Sequence, residues 1–339
     1  MRGIRKMVDI FIETETPTVK QIYEHYVKSA VVMQPRKHLG ASQIGHPCLR
    51  YLWYQFRWCA ESKTSFDGRM LRLFETGNRE EERLLKNLAD IGIDIQTRDK
   101  DGKQFHFVDA DNKFLSGSVD GIGVGFVEAP KTKHVVEVKT MNTANFKAMK
   151  TAGVLKSKPQ HYAQMQLYML WSGLDRAYYF AVLKDTDDIY GERVKFDRAY
   201  TYRLREKARV VTTATVPPAR MNDNPDNYQC RYCDFRDICL GKCIPNVSCR
   251  TCAHATPNPN TGKFDCGMNH ADYDCRYCAD HLYIPDLIPY PVTAVCMDVK
   301  YPSISYMIGD ETYTNGFDGY SHDLKKYLDE KLNPITMQL

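Results

Sequence analysis

Apolar and polar positions change period several times along the chain, and the changes divide it. Over 16–32, TPTVKQIYEHYVKSAVV, apolar residues recur at helical spacing, with Thr16 suited to the cap and Pro17 to the first turn. The stretch 39–58, LGASQIGHPCLRYLWYQFRW, is a loop that runs into an aromatic helix. Residues 68–92 predict a long helix whose apolar positions are Leu71, Phe74, Leu84, Leu85, Leu88 and Ile91. The period then shortens. FHFVDADNKFLSGSVDGIGVGFVE and HVVEVKT read as strands with Asp- and Gly-rich turns. A helix over 159–173 follows, opened by Pro159 and closed by Gly173, then a strand over 177–184 and a largely helical 197–216. PPARMNDNPDN, 217–227, is a loop. Beyond it lie a cysteine-rich stretch to about 281 and a Tyr- and Pro-rich tail with short β-like pieces. Repeats and low-complexity segments are absent from the sequence.

Composition narrows the class. The 339 residues make one large domain or two moderate ones, and 43% hydrophobic with 26% charged residues is a globular balance that permits a sizeable core. A net charge of +4 allows nucleic-acid binding without announcing it. No apolar run approaches a membrane span, and Asp9 and Glu13 break the short apolar patch near the start. The expectation is a cytoplasmic protein, in the host cytoplasm if its origin is a phage. Nine of the twelve cysteines fall between Cys230 and Cys278; in a reducing compartment, clustered C-x-x-C pairs favour metal over disulfides.

HVVEVKT, 134–140, carries the most chemistry. Strand alternation puts Glu137 and Lys139 on one face and Val136 and Val138 on the other. A carboxylate and an ammonium so placed can jointly hold a metal and an attacking water, although E-x-K on a strand is most often a solvated face. Asp120 ends a preceding strand at an Asp-Gly dipeptide, which also reads as a tight hairpin turn. In the long helix Phe74, Gly77, Glu81, Leu84 and Leu88 share a stripe, so of Glu80, Glu81 and Glu82 only Glu81 is aimed at the core. A carboxylate aimed there needs a partner, and a cation would serve. Gly77 costs about 1 kcal/mol against alanine and suggests close packing. On the helix 159–173, Gln164 and Tyr168 lie four apart on one face that Gln160 shares.

The cysteines suggest two further sites. Cys230-x-x-Cys233-x5-Cys239 is one side of a thiolate site, and Cys243 is the nearest candidate for a fourth ligand, which would make a zinc site. Downstream, Cys249-x-x-Cys252, Cys266 and Cys275-x-x-Cys278-x-x-His281 read as structural zinc. The favoured set is Cys249, Cys252, Cys266 and Cys278, with Cys275 and His281 as alternates; Cys59 and Cys296 are expected to be unligated.

Asp120, Glu137-x-Lys139 and Gln164-x-x-x-Tyr168, preceded by Gly77-x-x-x-Glu81, together resemble the PD-(D/E)XK nuclease superfamily in its RecB-like and lambda-exonuclease-like branch. The resemblance covers roughly residues 40–240. It implies Mg²⁺ or Mn²⁺ held by Asp120, Glu137 and Glu81 with the backbone carbonyl of Val138, Lys139 assisting the attacking water, and Gln164 and Tyr168 supporting the site. One branch, which includes CRISPR-associated and AddB-type nucleases, carries a 4Fe–4S cluster on one cysteine before the core and three after it, spaced C-x-x-C-x5-C. By that resemblance the ligands are Cys48, Cys230, Cys233 and Cys239, and Cys243 is a spare. More weakly, the later cysteines resemble zinc-ribbon-like tails of phage nucleases.

The expected architecture is an α/β PD-(D/E)XK restriction-endonuclease-like core, a mixed central sheet flanked by helices, with an iron–sulfur staple and a small C-terminal zinc-binding module. The expected division is 1–35, an N-terminal helical segment; 36–244, the nuclease domain; and 245–339, the cysteine-rich module. The expected function is a metal-dependent DNA exonuclease in recombination, repair or phage DNA metabolism, working on single-stranded DNA or duplex ends, with replication or recombination proteins as partners and no membrane. Alternatives are a structure-specific or single-strand endonuclease with the same site, and an inactive DNA-binding or adaptor protein of this fold. A zinc regulatory protein whose E-x-K strand is chance is a third.

Overall fold

The computed structural model describes residues 16–31, 35–60, 66–270, 278–296, 302–316 and 319–332. The first half runs α1 (Pro17–Ser29), β1 (Leu39–Gly40), α2 (Ala41–Ile44), α3 (Leu49–Phe56), α4 (Gly68–Asp90), β2 (Asp94–Gln96), β3 (His106–Val108), β4 (Leu115–Ser118), β5 (Gly121–Val124) and β6 (His134–Met141). Next come α5 (Thr143–Ser157), α6 (Pro159–Ser172), β7 (Arg176–Leu183), β8 (Ile189–Lys195), α7 (Arg198–Thr213), α8 (Tyr228–Arg231) and α9 (Arg236–Cys239). The last part is β9 (Ala255–Asn258), β10 (Lys263–Cys266), β11 (Val292–Cys296), β12 (Ser303–Ile308), β13 (Glu311–Gly316) and α10 (Ser321–Leu332).

A five-stranded mixed sheet, β2-β5-β6-β7-β8, forms the centre. Its β6 and β7 are parallel, and the other pairs are antiparallel. The parallel pair requires a crossover, which α5 and α6 supply. Alternation along β6 sorts its residues as the sequence pattern predicts. Val136 and Val138 join Tyr178, Phe180 and Val182 under Leu84, Leu85 and Leu88 of α4. Val135 and Met141 join Ala177, Tyr179 and Ala181 beneath α5, α6 and α7. Glu137 and Lys139 therefore face α6.

Four local expectations need correction. Asp120-Gly121 is not a hairpin: β4 pairs with β1 and β3, whereas β5 pairs with β2 and β6, so the dipeptide carries the chain between two sheets. Phe74 and Ile91 are 42% and 71% exposed, and Phe74 stacks edge-on against Phe66 instead. A Cβ on Gly77 meets only Thr140 Oγ1 at 4.0 Å, so no close approach depends on that glycine. Helix α5 was not expected from the pattern. Asn142 caps it, and Gly153, at φ +70°, kinks it where Glu192 Oε2 accepts from Val154 N at 2.7 Å.

The cysteine-rich segment is built into the main core. Phe264 of β10 packs on Phe56 and Phe114, with ring centroids 5.4 and 5.6 Å away. Two buried guanidinium groups stack on the same ring, Arg57 at 5.2 Å and Arg250 at 4.7 Å. They donate to backbone carbonyls across the structure: Arg250 to Phe56 and Lys37, and Arg57 to Arg250, Ala255 and Ala214. A second, smaller core joins Ile244, Val247, Leu282, Tyr283, Tyr306 and Leu324.

Candidate active site and thiol clusters

Four charged side chains meet at one end of β6. Glu137 is fully buried, and Lys139, 30% exposed, hydrogen-bonds to Glu137 Oε1 and, at 3.0 Å, to the carbonyl of Val138. Asp120, just before β5, accepts at Oδ2 from the Val138 N–H at 2.8 Å, which fixes the loop between the two sheets against β6. Glu81 reaches the group from α4. Its neighbours in the triplet do not: Glu80 pairs with Arg83, and Glu82 is exposed.

The electrostatics follow from that convergence. Burial, then the charge of Asp120, raises the Glu81 carboxyl to about 7. Burial first and Asp120 second also raise Glu137, against the pull of Lys139. Burial works against the Lys139 ammonium, but Glu137 and Asp120 outweigh it and its pKa rises. At full ionisation the three carboxylates exceed the one ammonium by two charges. Glu137 Oε2 is buried without a hydrogen-bond partner. An orphaned carboxylate oxygen among hard oxygen donors, with two uncompensated negative charges, fits a divalent cation such as Mg²⁺ or Mn²⁺.

Helix α6 closes the site. Gln164 Nε2 donates to Tyr168 Oη at 3.0 Å; both residues are buried, and Gln164 Oε1 has no partner. Burial and then Glu137 push the Tyr168 phenol upward. The ring lies against Gly117 of β4, where a Cβ would come within 2.8 Å of Tyr168 Cε1. His161, not singled out in the sequence, shares this helical face: its Nδ1 lies 2.7 Å from Tyr179 Oη, and burial followed by Lys139 lowers it to about 3. The i, i+3, i+7 spacing of His161, Gln164 and Tyr168 was the available signal.

The thiols gather at two cavities. Cys48, Cys230, Cys233 and Cys239 line one of about 50 Å³, together with Tyr51 and Phe235. Cys48 caps α3, its sulfur accepting from Tyr51 N at 3.3 Å. Cys243 is not on this wall; its charged neighbours are Asp237, Lys325 and Asp329. The other cavity, about 20 Å³, is lined by Cys249, Cys252, Cys266 and Cys278, and also by His254, His270, Asp280 and His281. One water-sized body needs about 10–15 Å³, so each cavity has room for at least an ion. Burial first raises the Cys252 thiol to about 11, and Cys278 and Cys266 add to the rise, so these sulfurs are neighbours. His281, one of the alternates, sits at this cavity with both ring nitrogens near other partners. It is buried, Nδ1 lies 2.7 Å from Ser321 Oγ, and Nε2 faces the Ser248 carbonyl at 3.1 Å. Cys275 lies outside the described residues. Cys59 is buried in the core and Cys296 is exposed.

No family model and no curated protein matches the sequence. Among solved structures, SSO0001 is 16% identical with a TM-score of 0.39, over 66% of this chain and 96% of that one. An alkaline exonuclease from Laribacter hongkongensis, LHK-Exo, solved in complex with dAMP, is 14% identical with a TM-score of 0.38, over 57% and 90%. A phage-related exonuclease from Haemophilus somnus 129PT is 18% identical with a TM-score of 0.30, over 41% and 68%. In this chain itself, a mixed five-stranded sheet carries the acid–lysine strand at its centre. Among the described residues, no helix is long and apolar enough to cross a membrane.

Proposed function

We propose that this protein is a metal-dependent deoxyribonuclease, and specifically an exonuclease that hydrolyses phosphodiester bonds from DNA ends. The observation that carries this reading is the fully buried Glu137, whose Oε2 has no partner while Asp120, Glu81 and Lys139 converge on it. Asp120, Glu137, Glu81 and the Val138 carbonyl would hold Mg²⁺ or Mn²⁺. When bound, such an ion polarises a phosphoryl oxygen and makes water a better nucleophile. The remaining work belongs to the side chains. Lys139 stays charged beside Glu137, so it acts as a hydrogen-bond donor that orients the attacking water and steadies the phosphate's charge, not as a base. Gln164 anchors Tyr168, which seats α6 against β4 and keeps water out of the inner side of the site.

The four thiols Cys48, Cys230, Cys233 and Cys239 suit a 4Fe–4S cluster, whose ligands are thiolates. Hydrolysis moves no electron, so its role would be to tie the segment before the core to the segment after it. The smaller cavity suits zinc. End-labelled linear DNA and circular single-stranded DNA, incubated with Mg²⁺ or Mn²⁺, test the reading. Loss of linear substrate with the circle intact is expected. Cleavage of the circle would make the enzyme an endonuclease, and no cleavage of either would overturn the proposal.

A further inference from the structure

The small cavity holds more donors than one tetrahedral ion takes, and sequence spacing cannot choose among them. For the donors among the described residues, their positions can. Among the described residues, His270, Cys278 and Asp280 are the group whose ligand atoms all lie within 4.8 Å of one another, and no trio of thiols draws together as closely. His270 Nε2 and Asp280 Oδ2 are 2.7 Å apart. Two ligands of one tetrahedral zinc, each at about 2.0–2.2 Å from it, would stand more than about 3 Å apart. The contact is therefore a hydrogen bond, the pattern of a zinc-bound imidazole that gives its other N–H to a carboxylate. Cys252, deep in the wall, lines the same cavity as Cys266 and Cys278. His254 also lines the cavity with its Nε2 buried and without a hydrogen bond, but among the described residues it joins no such group of ligand atoms.

Taking the zinc reading of this cavity as its basis, we propose a Cys3His site: Cys252, Cys266, Cys278 and His270 hold the ion, and Asp280 positions the imidazole. Cys249 stands in the wall outside the set, and His254 faces the thiolates without binding the metal. Three soft sulfurs and one imidazole select zinc over the hard ion of the nuclease site. The arrangement joins β10, which carries Cys266 and packs into the main core, to the chain that leads on into the second core.

Zinc-edge X-ray absorption on the intact protein reads the ligand set directly, since Zn–S and Zn–N distances differ by about 0.2–0.3 Å. Three sulfurs and one nitrogen are expected. His254→Ala should leave that spectrum unchanged and Cys249→Ser should keep one zinc per chain, whereas His270→Ala should lose the nitrogen or the ion. Asp280→Asn should weaken zinc binding about 10–100-fold, measured against a chromophoric chelator, with the ligand count unchanged. Four sulfurs, or a nitrogen that survives His270→Ala, would overturn the ligand set while leaving a zinc site. Protein purified without zinc, and taking up none, would instead overturn the zinc reading itself.

Discussion

Gly117→Ala should damage the protein where Gly77→Ala should help it. At Gly117 a methyl would sit 2.8 Å from Tyr168 Cε1, 2.9 Å from Ala41 Cβ and 3.0 Å from Tyr168 Oη. Carbon atoms pack best at about 3.5–4.0 Å, so the methyl intrudes on two neighbours by roughly 0.6 Å or more. Tyr168 and Ala41 are both buried and have little room to retreat. Overpacking of this kind costs about 1–3 kcal/mol. Relief requires the Tyr168 ring to swing, which stretches its 3.0 Å hydrogen bond from Gln164 and disturbs the wall beside Glu137. Activity should therefore fall along with stability. At Gly77, with only Thr140 Oγ1 at 4.0 Å, alanine brings the ordinary helix gain of about 1 kcal/mol. Urea unfolding followed by tryptophan fluorescence measures both variants, and Gly117→Ala should cost less in a Tyr168→Ala background than in the wild type. Equal effects at the two glycines, or the same cost of Gly117→Ala with and without Tyr168, would refute the packing argument.

Glu81→Gln should weaken metal dependence, seen as a higher Mg²⁺ or Mn²⁺ concentration for half-maximal cleavage, while Glu80→Gln and Glu82→Gln leave it alone. In metal-free protein the Glu81 carboxyl, raised from 4.5 to about 7, holds its proton more tightly folded than unfolded. Its contribution to stability should therefore fall as pH rises between those values, and the divalent ion should raise the melting temperature more at about pH 8 than at about pH 5, as calorimetry can record. Anaerobically purified protein should be brown; Cys48→Ser and Cys233→Ser should lose iron and Cys243→Ser should retain it, which metal analysis decides.

Local periodicity made much of the site legible. Strand alternation placed Glu137 and Lys139 on one face, and the helical stripe picked Glu81 from a run of three acids. Helical spacing also paired Gln164 with Tyr168. What stayed hidden depends on long-range pairing. Asp-Gly is a turn signal, but nothing near Asp120 says that β4 and β5 join different sheets. Helix α5 is broken at Gly153 by a φ that neighbouring residues do not announce. Arginines are usually exposed, so nothing in the sequence marks Arg57 and Arg250 as buried links between the main core and the cysteine-rich segment. His270 and Asp280 lie ten residues apart in sequence, so no short motif pairs them.

The central claim is that Glu137, Asp120 and Glu81 hold the divalent ion that cleaves DNA. It is tested most directly by Glu137→Gln, which keeps the size of the side chain but removes the charge. Cleavage of end-labelled DNA and Mn²⁺ binding by calorimetry should be measured on wild type and variant, with circular dichroism to confirm that both are folded. A loss of several kcal/mol of charge stabilisation corresponds to a fall in rate of about 10²–10³-fold or more, accompanied by weakened Mn²⁺ binding. A folded Glu137→Gln protein that binds Mn²⁺ and cleaves DNA as wild type does would contradict the account.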